Sequence, residues 1–154
     1  MVEIHELRAL VAAIPGSSVI VPGGVVAEVM EFTEPQPLPN APDWLPGEMS
    51  WNGWKIPIVN LGRLAGTAPD AAIPQRSRIL VIKTLAEDTS ILYVGIPISG
   101  LPRLQQVTRG SLVESGERTQ EGIFSHVSID GKPAVIPDLD ALARLVEQGA
   151  HRNR

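Results

Sequence analysis

One pattern occurs twice in this chain, and its recurrence limits the possible folds more than any other feature. Asn52-Gly-Trp-Lys-Ile-Pro-Ile-Val-Asn60-Leu-Gly-Arg-Leu64 lines up without a gap on Asp130-Gly-Lys-Pro-Ala-Val-Ile-Pro-Asp138-Leu-Asp-Ala-Leu142. The offset is 78 residues, about half of the 154 in the chain. Each copy opens on Asn-Gly or Asp-Gly. Such a pair between apolar runs predicts a β-hairpin, because both central residues of a type I′ turn need positive φ. Each copy then reaches an Asn or Asp placed to cap a helix start. A repeat of this period argues for two similar units rather than one large sheet. Small sheets of about five strands avoid open edges by closing into barrels. The pattern therefore predicts a mainly all-β protein of two linked small barrels, with short helices and one C-terminal helix.

The rest of the chain fills in that outline. Leu7 to Ile14 is apolar with little alternation and predicts a buried strand. Pro15-Gly-Ser-Ser18 is a turn, and Val19 to Val21 returns as a second strand. Pro22-Gly23-Gly24 breaks it. Val25 to Met30 has the look of one or two helical turns, and Glu31 to Thr33 leaves in extended form. The stretch 66–75, Gly-Thr-Ala-Pro-Asp-Ala-Ala-Ile-Pro-Gln, has no periodicity and is the best candidate boundary. It divides the chain into subdomains of about 7–66 and 77–147, with a linker at about 66–76. Ile79 to Leu85 and Ile91 to Ile98 predict two more strands around a Glu87-Asp88-Thr89 turn. Gly100-Leu-Pro102 breaks the pattern before a short strand from Leu104 to Thr108. The polar stretch 109–122 predicts a mobile loop. Ile123 to Ile129 and Ala134 to Ile136 flank the Asp130-Gly131 turn. A helix at about 138–148 follows, with Asp138 as N-cap, Leu139, Leu142, Leu145 and Val146 at helical spacing, an Asp140–Arg144 i,i+4 pair and Gly149 as stop.

The first hairpin is preceded by a proline-dense loop. Pro35, Pro37, Pro39, Pro42 and Pro46 fix φ and remove backbone donors, which excludes a helix interior or a central strand. All three tryptophans, Trp44, Trp51 and Trp54, lie here. Two readings stand: they plug a small β core, as Trp is mostly buried, or at least one marks a partner surface, where Trp is enriched.

At these residues the chain resembles the CheW-like adaptor family. The matching run is Pro-Leu-Pro-Asn-Ala-Pro-Asp-Trp-Leu-Pro-Gly, then Ser-Trp-Asn-Gly, then Ile-Pro-Ile-Val-Asn-Leu. The likeness spans roughly residues 6–147. Two positions depart from the family: Asn52 stands where it usually has Arg, and Asn60 where it usually has Asp. The resemblance implies two SH3-like five-stranded β-barrels sharing a core, forming a single CheW-like domain over 1–154. It implies a non-catalytic scaffold joining the regulatory domain of a CheA-like histidine kinase to the cytoplasmic tip of a chemoreceptor. Val26, Glu28, Asn52, Gly53 and Pro57 match the positions that line the family's partner-binding face. The resemblance also implies that the acidic residue matching Glu28 can pair with the family's turn arginine, a pair that Asn52 cannot form. The hairpin Met-Ser-Trp-Asn-Gly-Trp is similar to that of divergent adaptors of pilus-linked chemosensory systems, the ChpC and PilI type.

Other chemistries find little support. There is no cysteine, hence no disulfide or thiolate metal site, which fits a reducing cytoplasm. His5, His126 and His151 are far apart and lack a second ligand at metal spacing. Ser125 and His126 are strand neighbours that point to opposite faces, so a Ser-His-Asp triad with Asp130 is not formed from them. No glycine-rich loop opens a long helix, so nucleotide motifs are absent. Glu87, Asp88, Asp138 and Asp140 have local roles in a turn and at a helix start. A net charge of −4 argues against nucleic acid and against an anionic membrane surface. The segment from Ala9 to Ile14 is too short for a signal-peptide core or a membrane span, so a soluble, unprocessed cytoplasmic protein is expected. No catalytic residue, cofactor or metal is expected. Two alternatives remain: a small-ligand-binding β-barrel, supported by the tryptophans, and an interaction protein that works without a receptor, favoured by Asn52.

Overall fold

The computed structural model describes residues 7–108, 110–116 and 119–151. Its elements run in the order β1 (Leu7–Ile14), β2 (Ser17–Pro22), a 3-10 turn (Gly23–Val25), β3 (Val26–Glu31), β4 (Gly47–Trp51), β5 (Trp54–Ile58) and α1 (Leu61–Leu64). Then come β6 (Arg78–Lys83), β7 (Tyr93–Val107), β8 (Leu112–Glu114), β9 (Ile123–Ile129), β10 (Lys132–Pro137) and α2 (Leu139–His151). The expectation of a mainly β chain with a C-terminal helix holds.

The strands form two lobes. In lobe one the order is β3-β6-β7-β5-β4; in lobe two it is β7-β1-β2-β10-β9-β8. Both follow one plan. Three antiparallel strands meet the Asn-Gly or Asp-Gly hairpin through a single parallel contact, Ile58 with Gly95 in lobe one and Val135 with Val19 in lobe two. Lobe two carries β8 as a sixth strand.

The lobes are not the two halves of the sequence. β1 and β2 pair with the later part of β7 and with β10, while β6 and the start of β7 pair with β3 and β5. Each half gives its opening hairpin to the lobe that the other half completes. The division at 66–76 suggested by loop composition does not coincide with the division between lobes. The chain crosses twice, through the turn at Gly23–Val25 and along β7 itself.

Three hydrophobic clusters follow from strand alternation. Met49, Ile56, Ile58, Ile79 and Val81 fill lobe one. Ala9, Val11, Ile20, Val107, Val127, Ile129 and Ala134 fill lobe two. The opposite faces of the same strands, with Leu80 and Ile82 beside Val19 and Val21, meet in a shared core that also takes Leu61 of α1 and Leu142 and Val146 of α2. Each fully buried Ile or Leu contributes about 1.5–3 kcal/mol. Gly95 is required where β5 and β7 meet, since a Cβ there would lie 2.7 Å from Ile58 Cδ1 and 2.8 Å from Ile79 Cγ2.

Several local expectations are corrected. Val25 to Met30 is not helical: only Gly23–Val25 turns, and Val26–Glu31 pairs with β6 around a register shift at Ala27. Gly100-Leu-Pro102 does not end a strand. It is a bulge inside β7, with Gly100 at φ 69 and the register against β1 shifting between Val11 and Ala13. Leu85 lies outside β6 with φ 61. Gly149 does not stop α2, which runs through it to His151. A Cβ at Gly149 would sit 3.1 Å from Leu45 Cδ2, so the residue is small for close packing on the proline loop. Arg144 approaches Asp88 at 3.8 Å, tying α2 to the β6–β7 loop. The stretch expected to be a mobile loop contains β8, paired with β9; residues 109, 117 and 118 lie outside the described residues.

Backbone ladders do not close either lobe among the described residues. The open edges are covered in another way. Gln36 of the proline loop exchanges two backbone hydrogen bonds with Glu48 on the outer edge of β4, at 2.8 and 3.0 Å. Side chains span the remaining gaps. Trp51 Nε1 donates to Glu28 Oε2 in lobe one, and Gln105 Nε2 donates to Asp130 Oδ2 at 3.1 Å in lobe two.

Candidate functional site

The hairpin of lobe one forms as its residues dictate. Asn52 and Gly53 adopt φ 47 and φ 80, the left-handed pair of a type I′ turn, and Trp51 stands opposite Trp54. On one face of β4 and β5 lie Met49, Trp51, Trp54, Ile56 and Ile58; Ser50, Lys55 and Pro57 take the other. The parallel contact with β7 brings the tip beside Tyr93 at the start of that strand. The ring centroids of Trp51 and Tyr93 are 4.9 Å apart, and those of Trp54 and Tyr93 are 6.1 Å apart, both tilted. Trp51 is half-buried against the lobe interior, whereas Trp54 is 48% exposed. Trp44 packs against the shared core. Trp44 and Trp51 thus follow the core reading, while Trp54 is left exposed at the hairpin.

β3 reaches the same end of the lobe. Glu28, exposed on β3, accepts the Trp51 indole hydrogen bond, so Glu28 and the residue before Asn52 are joined. Val26 is half-buried and packs against the shared core. Asn52 and Gly53 are exposed at the turn. Pro57 is buried. The structure thus links Glu28 to the hairpin, leaves Asn52 and Gly53 open, half-covers Val26 and encloses Pro57. Sequence reasoning missed Trp51 as the partner of Glu28. The signal was available: an indole N–H is a donor that seeks an acceptor.

Asn60 departs from the family with a visible local reason. Its Oδ1 accepts from the backbone N–H of Arg63 and caps α1, and its Nδ2 donates to Ala71 O at 3.1 Å. A carboxylate could do only the first. Arg63 donates to the same carbonyl through Nε and pairs with Asp43 at 3.2 Å. These groups border a cavity of about 370 Å³, an open hollow under the proline loop. The cavity is neither a groove between the lobes nor a closed pocket, and Asn60 and Arg63 already have partners there.

His126 is buried with Nε2 2.8 Å from Gln120 Oε1. The Ser125 hydroxyl donates to the His126 carbonyl at 3.4 Å. Among the described residues, no group of three His, Asp or Glu side chains could hold a metal ion. No helix among them is long and apolar enough to cross a membrane.

Two SH3-like lobes sharing a core, each ending in an Asn-Gly or Asp-Gly hairpin and a capped helix, define the class of fold. The CheW-like domain family matches residues 8–147, and the chain belongs to that family. Among solved structures the fold is similar to that of the scaffolding protein TtCheW from Thermoanaerobacter tengcongensis, with a TM-score of 0.66 at 16% identity, covering 85% of this chain and 88% of that one. No curated protein matches the chain by sequence.

Proposed function

We propose that this protein is a non-catalytic cytoplasmic scaffold that couples a CheA-like histidine kinase to the cytoplasmic tips of chemoreceptors. The observation that carries this reading is the CheW-like family match over residues 8–147. The double-lobed fold supports it, because the regulatory domain of such a kinase is expected to share that fold and to offer equivalent lobe-to-lobe contacts. Each contact is small, and affinity arises from several acting together. The docking face proposed is the end of lobe one, with Val26, Glu28, Asn52 and Gly53. The likeness of the Met-Ser-Trp-Asn-Gly-Trp hairpin to adaptors of pilus-linked systems suggests type IV pili and twitching motility as the output.

Titration of the kinase regulatory domain and receptor tip encoded in the same genome tests the reading. Val26→Asp is expected to weaken at least one association by about 1–3 kcal/mol, the cost of an unpaired charge at an interface. Unchanged affinity in a folded Val26→Asp protein would move the contact to lobe two.

A further inference from the structure

We propose that the aromatic cluster at the end of lobe one is a receptor for a guanidinium group, and that a partner of this protein docks there through an arginine. The inference rests on the docking face proposed above and names the chemistry that face selects.

Three features converge. The first is a held carboxylate. Glu28 is exposed, and one of its oxygens, Oε2, accepts the Trp51 indole hydrogen bond. That bond fixes the carboxylate and leaves Oε1 for a ligand. The second is an open aromatic surface. Trp54 stands opposite Trp51 on the same face of the hairpin, is 48% exposed and tilts 60° against Tyr93. Trp54 is the cross-strand neighbour of Trp51, which holds Glu28, and an indole near a carboxylate offers a planar cation both stacking and an ion pair. The third is the disposition of local cations. Lys55 adjoins Trp54 in sequence, but alternation sends it to the other face, where it meets Gln36 at 3.3 Å and Glu48 at 3.9 Å. Lys83 stands opposite Tyr93 and makes no ion pair among the described residues. Among the described residues Glu28 has no cationic partner. Asn52 at the tip adds an uncharged amide and no competing charge. Arginine fits better than lysine: its flat fork can stack on Trp54 while it reaches Glu28, and it sheds water more readily.

A test that needs no protein partner uses N-acetyl-arginine methylamide and its neutral isostere, N-acetyl-citrulline methylamide. Each is titrated into the 15N-labelled full chain while the three indole N–H resonances are followed. The arginine probe is expected to shift Trp51 and Trp54 saturably and to leave Trp44 in place, with citrulline moving none of them. Glu28→Gln keeps the shape and an acceptor for Trp51 but loses the charge, and should weaken the arginine response about tenfold. Trp54→Ala should do the same. Equal responses to the two probes, or a response that Glu28→Gln leaves intact, would overturn the proposal. With the kinase regulatory domain or receptor tip as ligand, Glu28→Gln should lower affinity about tenfold and flatten its salt dependence. If Val26→Asp abolishes that binding while Glu28→Gln leaves it unchanged, the docking face stands and the arginine site falls. If neither ligand binds the wild type but the arginine probe behaves as expected, the site stands and the scaffold reading falls.

Discussion

At the scale of single residues, close backbone approaches set the strictest limits. Gly47 lies where the proline loop meets β4. A Cβ there would be 2.2 Å from the Gln36 carbonyl oxygen, an atom of the bridge that covers the sheet edge. Neither strand of that bridge can move without losing hydrogen bonds. Gly47→Ala is expected to lower stability by about 1–3 kcal/mol in urea denaturation, the usual cost of overpacking. Asn60 sets a chemical limit instead. It is 4% exposed and uses both ends of its amide. Asn60→Asp preserves the cap but turns a carboxylate toward the Ala71 carbonyl. The loss should be about 1–3 kcal/mol at neutral pH, as for a buried group left without its partner. It should shrink as the medium is acidified and the new carboxyl becomes a donor. A variant equal to wild type at neutral pH would show that the Ala71 contact is dispensable.

At the scale of elements, β7 carries the architecture. Its first residues complete lobe one and its last complete lobe two, with the bulge at Gly100 between them. Nothing lies within 4 Å of a Cβ built on Gly100, so Gly100→Ala isolates the cost of positive φ. It should lower the unfolding free energy by about 1 kcal/mol; no change in the denaturation midpoint would show that the bend is not set by that residue. The same strand shows why part of the fold was hidden in the sequence. Gly-Leu-Pro has the composition of a turn, and only its pairing with β1 reveals a bulge, on a stretch of strand with no second strand paired to it among the described residues, where proline is tolerated. Val25 to Met30 misled for a related reason. Ala27, Glu28 and Met30 favour helix, but pairing with β6 decides the outcome, and Val26 and Val29 were the only local hints. By contrast, the two hairpin turns and both helix caps were legible, because Asn-Gly, Asp-Gly and the capping Asn60 and Asp138 act through their immediate neighbours. The hydrogen bond from Trp51 to Glu28 joins residues far apart in the chain, so spacing alone could not place it.

At the scale of the whole molecule, the repeat describes two interleaved halves. The opening hairpin of each half finds its partners in the other. A chain cut at residue 72 should therefore yield two fragments that do not fold cooperatively alone, yet recover β structure and a single melting transition when mixed. Independent folding of residues 1–72 would contradict the interleaved reading. In the role proposed above, this arrangement sets the geometry of bridging. A shared core packs the two lobes against each other, so a partner held at the end of lobe one would have a set position relative to one bound at lobe two.

The most direct test of the bridging role is sedimentation velocity on the protein mixed with the kinase regulatory domain and the receptor tip from the same genome. The account predicts a three-component species that forms only when the scaffold is present, and in which both partners sediment together. Binding of either partner that excludes the other, or no association with either, would contradict it.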